Sequence, residues 1–164
     1  MSRKILIGIG TYNRNKLLER ALIYISKLNI PLGYSMEVVI SDNNPCQEAK
    51  EVYLNIKKEF PFLLHYLHEP AKSIASVRTA VLKKALDINA EYIAFIDDEE
   101  YPLPDWILEL YKTMLEFEAD GATSYPQIID GDMVCDIPHN IKRGKMALLE
   151  KAVLQIAFYL KLML

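Results

Sequence analysis

The sequence predicts an α/β fold, a mostly parallel sheet with helices on both faces, and three observations predict it. Short apolar runs alternate with helix-period segments from Lys4 to Tyr125. The runs are near-continuously apolar, as strands buried on both faces are. They also end abruptly in polar or acidic residues, the edge at which open α/β sheets bind ligands. The 164 residues are 51% hydrophobic, enough for one domain with a real core. Residues 1–126 read as that core, and 127–164 as a divergent C-terminal segment of the same domain.

Each element follows from a local pattern. Lys4–Ile9 is an apolar strand. Leu17, Leu18, Ala21, Leu22, Ile25 and Leu28 recur at helical spacing, with Asn13 or Asn15 as N-cap, and Pro31 and Gly33 close the unit. Met36–Ile40 is the second strand, followed by the turn Ser41–Pro45 and a helix over 47–59. Pro61 breaks that helix before a third strand, Leu63–Leu67. Ser73 caps a helix whose buried stripe is Ile74, Val77, Val81, Leu82, Ala85 and Leu86. Tyr92–Ile96 is a fourth strand, short, aromatic and β-prone. A helix from Asp105 to about Glu118 turns Trp106, Leu110 and Met114 inward, and Ala122–Tyr125 adds a fifth strand. Beyond Pro126, Asp130-Gly131 is a turn signal joining two short strands within Ile128–Cys135. A basic connector, His139–Lys145, leads to Met146–Leu164, which reads as an apolar helix with only Glu150, Lys151 and Lys161 charged. Such a helix is too interrupted to span a bilayer. It is expected to pack on the domain or a second copy, a homodimer, in preference to a peripheral membrane contact through 146–164.

Composition excludes several classes. A net charge of −3 and a pI near 5.6 leave no nucleic-acid footprint. Cys46 and Cys135 have neither metal-ligand spacing nor a disulfide framework, and read as free thiols in a reducing cytosol. The N-terminal run lacks the cleavage site of a secretory signal, so the chain is expected to begin in its first strand and to be cytoplasmic. His65 and His68 have opposite parity on their strand, and Asp130, Asp132 and Asp136 fit a turn.

The segment YIAFIDDEEYPLPD, Tyr92–Asp105, carries the chemistry. Asp97, Asp98, Glu99 and Glu100 follow the strand directly and repel one another unless a positive charge sits among them. Mg²⁺ or Mn²⁺ supplies it, taking one or two carboxylates plus phosphate oxygens. The competing reading is a solvated acidic loop before the helix that Pro104 and Asp105 start.

Four elements in order, IGIGTYNR, VVISDNN, SIASVRTAVLKKA and FIDDEEYPLPDWILEL, resemble a family 2 glycosyltransferase of the GT-A fold over about Lys4 to Tyr125. The resemblance implies a Rossmann-like nucleotide-diphosphosugar transferase domain. It implies donor binding by Thr11, Tyr12, Arg14, Asp42, Asn43, Arg78, Asp97 and Asp98. Asp97 and Glu99 match the outer positions of the family's DxD element, and with Asp98 they make the implied metal site for Mn²⁺ or Mg²⁺. The implied partners are a nucleotide-diphosphate sugar, UDP-sugar favoured, and a glycan or lipid-linked acceptor, with location against the inner membrane face. Arg78 is all that remains here of an Ala-Arg-Asn motif, Asn43 stands where the family often has a second acid, and Glu100 reads as a helix-proximal acid. The family's catalytic base lies downstream in a segment this chain does not match, so the base is expected to be absent. Three readings compete: a donor-binding glycosyltransferase domain acting with inversion, a non-catalytic nucleotide-sugar-binding remnant, and an unrelated metal-dependent nucleotidyltransferase-like module.

Overall fold

The computed structural model describes residues 3–124, 126–129, 132–135 and 157–161. Within them the order is β1 (Arg3–Thr11), α1 (Asn15–Ile25), β2 (Tyr34–Asp42), α2 (Ala49–Ile56), β3 (Leu63–His68), α3 (Ile74–Asp87) and β4 (Tyr92–Asp97). There follow β5 (Glu100–Pro102), α4 (Trp106–Glu116), β6 (Gly121–Ser124), β7 (Pro126–Ile129), β8 (Asp132–Cys135) and β9 (Ala157–Lys161). The main sheet runs β3-β2-β1-β4-β9-β6, with β1 to β4 mutually parallel and β9 antiparallel to both its neighbours. A second sheet, β5-β8-β7, holds the expected short hairpin, whose register closes at Ile129↔Asp132.

The direction of winding sets the helix faces. From β1 to β3 each step moves one way along the sheet, whereas the step from β3 to β4 reverses across β1. Right-handed crossovers then place α3 on the opposite face from α1 and α2. The two cores record this. Ile5, Ile7 and Ile9 pack with Leu18 and Leu22 of α1, Val52 of α2 and Trp106, Ile107 and Leu110 of α4. Leu6, Val39 and Ile93 pack with Val81 and Ala85 of α3. Glycines let α3 come close. A Cβ on Gly8 would lie 2.3 Å from Val81 Cγ1, and one on Gly10 2.8 Å from Val77 Cγ1.

Several expectations are corrected. The α3 stripe is narrower than its periodicity implied. Val77, Val81 and Ala85 are buried, while Ile74, Leu82 and Leu86 are exposed, because among the described residues α3 is the helix on its face and it touches the sheet along one line. Asn13 has φ 55°, the left-handed region that asparagine tolerates, so it forms the turn and does not cap α1. Arg14 occupies the cap position, and the Asn15 side chain donates to the Glu48 carbonyl at 3.1 Å. The apolar C-terminal helix is overturned where it is described: Ala157–Lys161 is a strand, paired Ala94↔Tyr159 and Ala122↔Tyr159. Aromatic residues suit a sheet, and the gap between β4 and β6 supplies a ladder partner on each side, so tertiary pairing outweighs helix propensity. With it goes the helix argument for a homodimer or membrane contact there; the rest of 146–164 lies outside the described residues, as do Tyr125, Asp130, Gly131, Asp136 and the 139–145 connector. No helix among the described residues is long and apolar enough to cross a membrane.

Candidate active site

The strand ends expected to face one site do so. Register pairs Thr11 with Asp42 and Gly10 with Asp97, which brings the carboxyl ends of β1, β2 and β4 to one edge. The β1–β4 boundary is where the winding reverses, the crevice in which open α/β sheets hold ligands.

Thr11, Arg14, Asp98 and Glu99 form one network. The Thr11 hydroxyl donates to Asp98 Oδ2 at 2.8 Å, and Arg14 Nη1 donates to Asp98 Oδ1 at 3.1 Å and to Glu99 Oε2 at 2.9 Å. Asp98 is enclosed; burial pushes its carboxyl above the usual range, against the Thr11 and Arg14 bonds that favour its charge. The bond to Asp98 in turn raises the Arg14 guanidinium further. Asp97 is half-buried and also pushed up by burial, with the positive charge of Arg78 opposing the shift and the negative charge of Glu99 adding to it. Arg78 lies on α3 with its guanidinium carbon 5.8 Å from the Phe95 ring centre, so its charge serves the acidic turn from behind.

Glu100 departs most from the reading as a helix-proximal acid. It opens β5, is fully buried, and its Oε2 accepts the Asp97 N–H at 3.0 Å. Its Oε1 has no hydrogen-bond partner among the described residues, and burial pushes its carboxyl up to about 7. Nothing in four consecutive acids marks which one turns inward; that depends on β5 pairing with β8.

Asp42 and Asn43, expected to contact the donor, have their side chains engaged in internal hydrogen bonds. Asp42 is fully buried: Oδ1 accepts the Asn44 N–H at 2.9 Å, and Oδ2 accepts the Ala49 N–H at 3.0 Å and the Tyr66 hydroxyl at 2.8 Å. It therefore holds the turn and the start of α2, where a carboxylate also suits the helix dipole. Burial and the Asp42 charge raise the Tyr66 hydroxyl. Asn43 donates to the Glu69 and Ala71 carbonyls at 2.6 Å each, tying β2 to the β3–α3 connection. That tie brings Lys72 over the exposed Tyr12 ring, 4.9 Å from its centre, a contact the sequence did not reveal. Trp106 packs, as expected, and its indole N–H donates to Ser124 Oγ at 2.9 Å. His65 meets Glu37 at 2.6 Å and His68 the Asn44 carbonyl at 3.1 Å, neither within the acidic turn.

The resemblance implies a metal centre of Asp97, Asp98 and Glu99 at this turn. Among the described residues no group of three or more His, Cys, Asp or Glu side chains is arranged to hold an ion. Asp98 faces inward to Thr11, and Arg14 occupies the space between it and Glu99.

Comparison with known proteins agrees with this architecture. The family model described as Glycosyl transferase family 2 matches residues 6–153. The succinoglycan biosynthesis protein ExoM of Rhizobium meliloti is 30% identical over 107 residues, 65% of this chain and 33% of that protein. The chain thus spans about a third of the length of the curated relatives it matches. Staphylococcus aureus TarS 1–349 in complex with UDP superposes with a TM-score of 0.62 at 19% identity, over 83% of this chain and 38% of that one. The mannosyltransferase PcManGT from Pyrobaculum calidifontis, in complex with GDP-Man and Mn²⁺, gives 0.62 at 20% identity over 79% and 37%. These solved structures share the fold, a GT-A-like parallel sheet clasped by helices. By the extent of the family match, the chain belongs to glycosyl transferase family 2.

Proposed function

We propose that this chain binds a nucleotide-diphosphate sugar at the β1–β4 crevice and serves its inverting transfer to a glycan or lipid-linked acceptor. The observation that carries this reading is the Thr11–Arg14–Asp98–Glu99 network at the strand ends, with Arg78 behind it. Asp98, held from two sides, fixes the turn, so the half-buried Asp97 is the carboxylate left to accept ribose hydroxyls. The exposed Tyr12 ring beneath Lys72 offers an apolar face to a base and a cation to a phosphate. Asn43 spends its amide on backbone carbonyls, so base choice falls to the Thr11–Tyr12 turn. UDP is the favoured nucleotide, in keeping with the UDP bound by TarS, although PcManGT holds GDP-Man.

Glu99 and Asp97 would hold a Mg²⁺ or Mn²⁺. Such an ion supplies Lewis-acid neutralisation of the charge that grows on the departing nucleoside diphosphate. Arg14 contributes a fixed positive charge at the same place, and takes up Glu99 when no other cation claims it. Deprotonation of the acceptor hydroxyl is assigned to no described residue. A location at the cytoplasmic face of the membrane goes with lipid-linked or growing glycan acceptors.

The test is turnover. The chain is incubated with Mn²⁺ and UDP-, GDP- or dTDP-sugars, with and without a short glycan acceptor, and nucleotide release is followed. Release that needs the acceptor and is lost in Asp97→Asn supports transfer. Binding without release supports the donor-binding remnant, and failure to bind any of these sugars refutes both.

A further inference from the structure

We propose that Glu100 is the positioning residue of this site: its buried side chain turns back to the Asp97 N–H and holds the acidic turn so that Asp97 and Glu99 face the donor. This deepens the donor-site reading and rests on it. Three observations meet at Glu100. Its Oε2 lies 3.0 Å from the Asp97 nitrogen, so the side chain closes the two-residue excursion, Asp98 and Glu99, between β4 and β5. It is fully buried with Oε1 lacking any hydrogen-bond partner among the described residues, an arrangement unfavourable for stability alone. And the strand it opens is anchored at the next residue. The buried Tyr101 ring lies 5.3 Å from the Tyr24 ring of α1, and Arg20 sits 4.1 Å above it.

The turn is thereby held at both ends. β4 is fixed in the main sheet by Gly10↔Asp97, and β5 is fixed by Tyr101 and by Glu100↔Met133 in the second sheet. A backbone N–H at Asp97 left without an acceptor would let the turn swing, and the carboxylates on it would swing too. Glu100 supplies that acceptor from the strand side. This makes it the link through which the β5-β8-β7 sheet reaches the donor carboxylates. The role requires an acceptor oxygen at the end of a two-methylene arm; it does not require negative charge.

Two variants separate reach from charge. Glu100→Asp keeps the carboxylate but shortens the arm, whereas Glu100→Gln keeps the arm and an acceptor oxygen. The readouts are hydrogen exchange at the Asp97 amide and UDP affinity by calorimetry, with Mn²⁺ and with EDTA. In Glu100→Asp the amide should exchange faster and the Mn²⁺-dependent affinity should fall about tenfold or more, the usual loss when an outer-shell partner is removed. Affinity in EDTA should not change, and Glu100→Gln should recover both properties. Wild-type behaviour in Glu100→Asp, or equal losses in the two variants, would overturn the assignment. If wild-type affinity ignores Mn²⁺, the donor-site reading fails by itself. Protection of the Asp97 amide across the three proteins then still decides whether Glu100 holds the turn.

Discussion

Replacing Glu100 by Gln should remove a pH dependence that the buried acid imposes on stability. The Glu100 carboxyl, ordinarily near 4.5, is held at about 7 in the fold by burial, against the bond it accepts from Asp97. Between those two values the folded chain keeps a proton that the unfolded chain has released, so stability is greatest below the lower value and falls as pH rises through the window. A displacement of this size, from 4.5 to about 7, corresponds to about 3 kcal/mol at 1.36 kcal/mol per unit. Asp97 and Asp98 are pushed up by burial and act in the same sense. Burial also pushes Glu37 up, but its bonds to His65 and Lys4 outweigh that and leave it lowered, with the opposite sense at lower pH. The difference between wild type and Glu100→Gln cancels these shared contributions, because the amide stays neutral throughout. Urea unfolding in EDTA at about pH 5 and pH 8 measures it. Because pH 5 already lies inside the window, the wild type should lose about 2.5 kcal/mol more than the variant between the two conditions. Parallel losses would refute the claim that Glu100 titrates from a buried position.

Gly8→Ala would put a methyl 2.3 Å from Val81 Cγ1 and should cost about 1–3 kcal/mol in urea unfolding, most of it restored by adding Val81→Ala. Trp106→Phe removes the donor to the buried Ser124 hydroxyl and should cost about 1–3 kcal/mol, with Trp106→Phe/Ser124→Ala costing less than the sum of the single changes.

The carboxyl edge was legible because its signals are local. Apolar runs stop sharply at Thr11, Asp42 and Asp97, and parallel pairing makes three such stops share one edge. Arg14 was legible as a residue of this edge from its place after the first strand, and there it ion-pairs with Asp98 and Glu99. What the chain hid depends on distant partners. Asp42 looks like a free strand-end acid until Ala49 and Tyr66 fold over it. Glu100 is one of four alike until β8 pairs with its strand. Ala157–Lys161 carries an apolar run that serves helix or strand, and only the opening between β4 and β6 decides it. Pattern fixes which residues reach an edge, and tertiary contact decides which of them remain open to a ligand.

The central claim is that the acidic turn binds a nucleotide diphosphate through a divalent cation, and calorimetric titration of UDP in Mn²⁺ and in EDTA tests it most directly. UDP should bind much more tightly with Mn²⁺, and the double change Asp97→Ala/Glu99→Ala should abolish the difference while the circular dichroism spectrum stays that of the wild type. Equal affinity in Mn²⁺ and EDTA, in a chain that retains its fold, would contradict it.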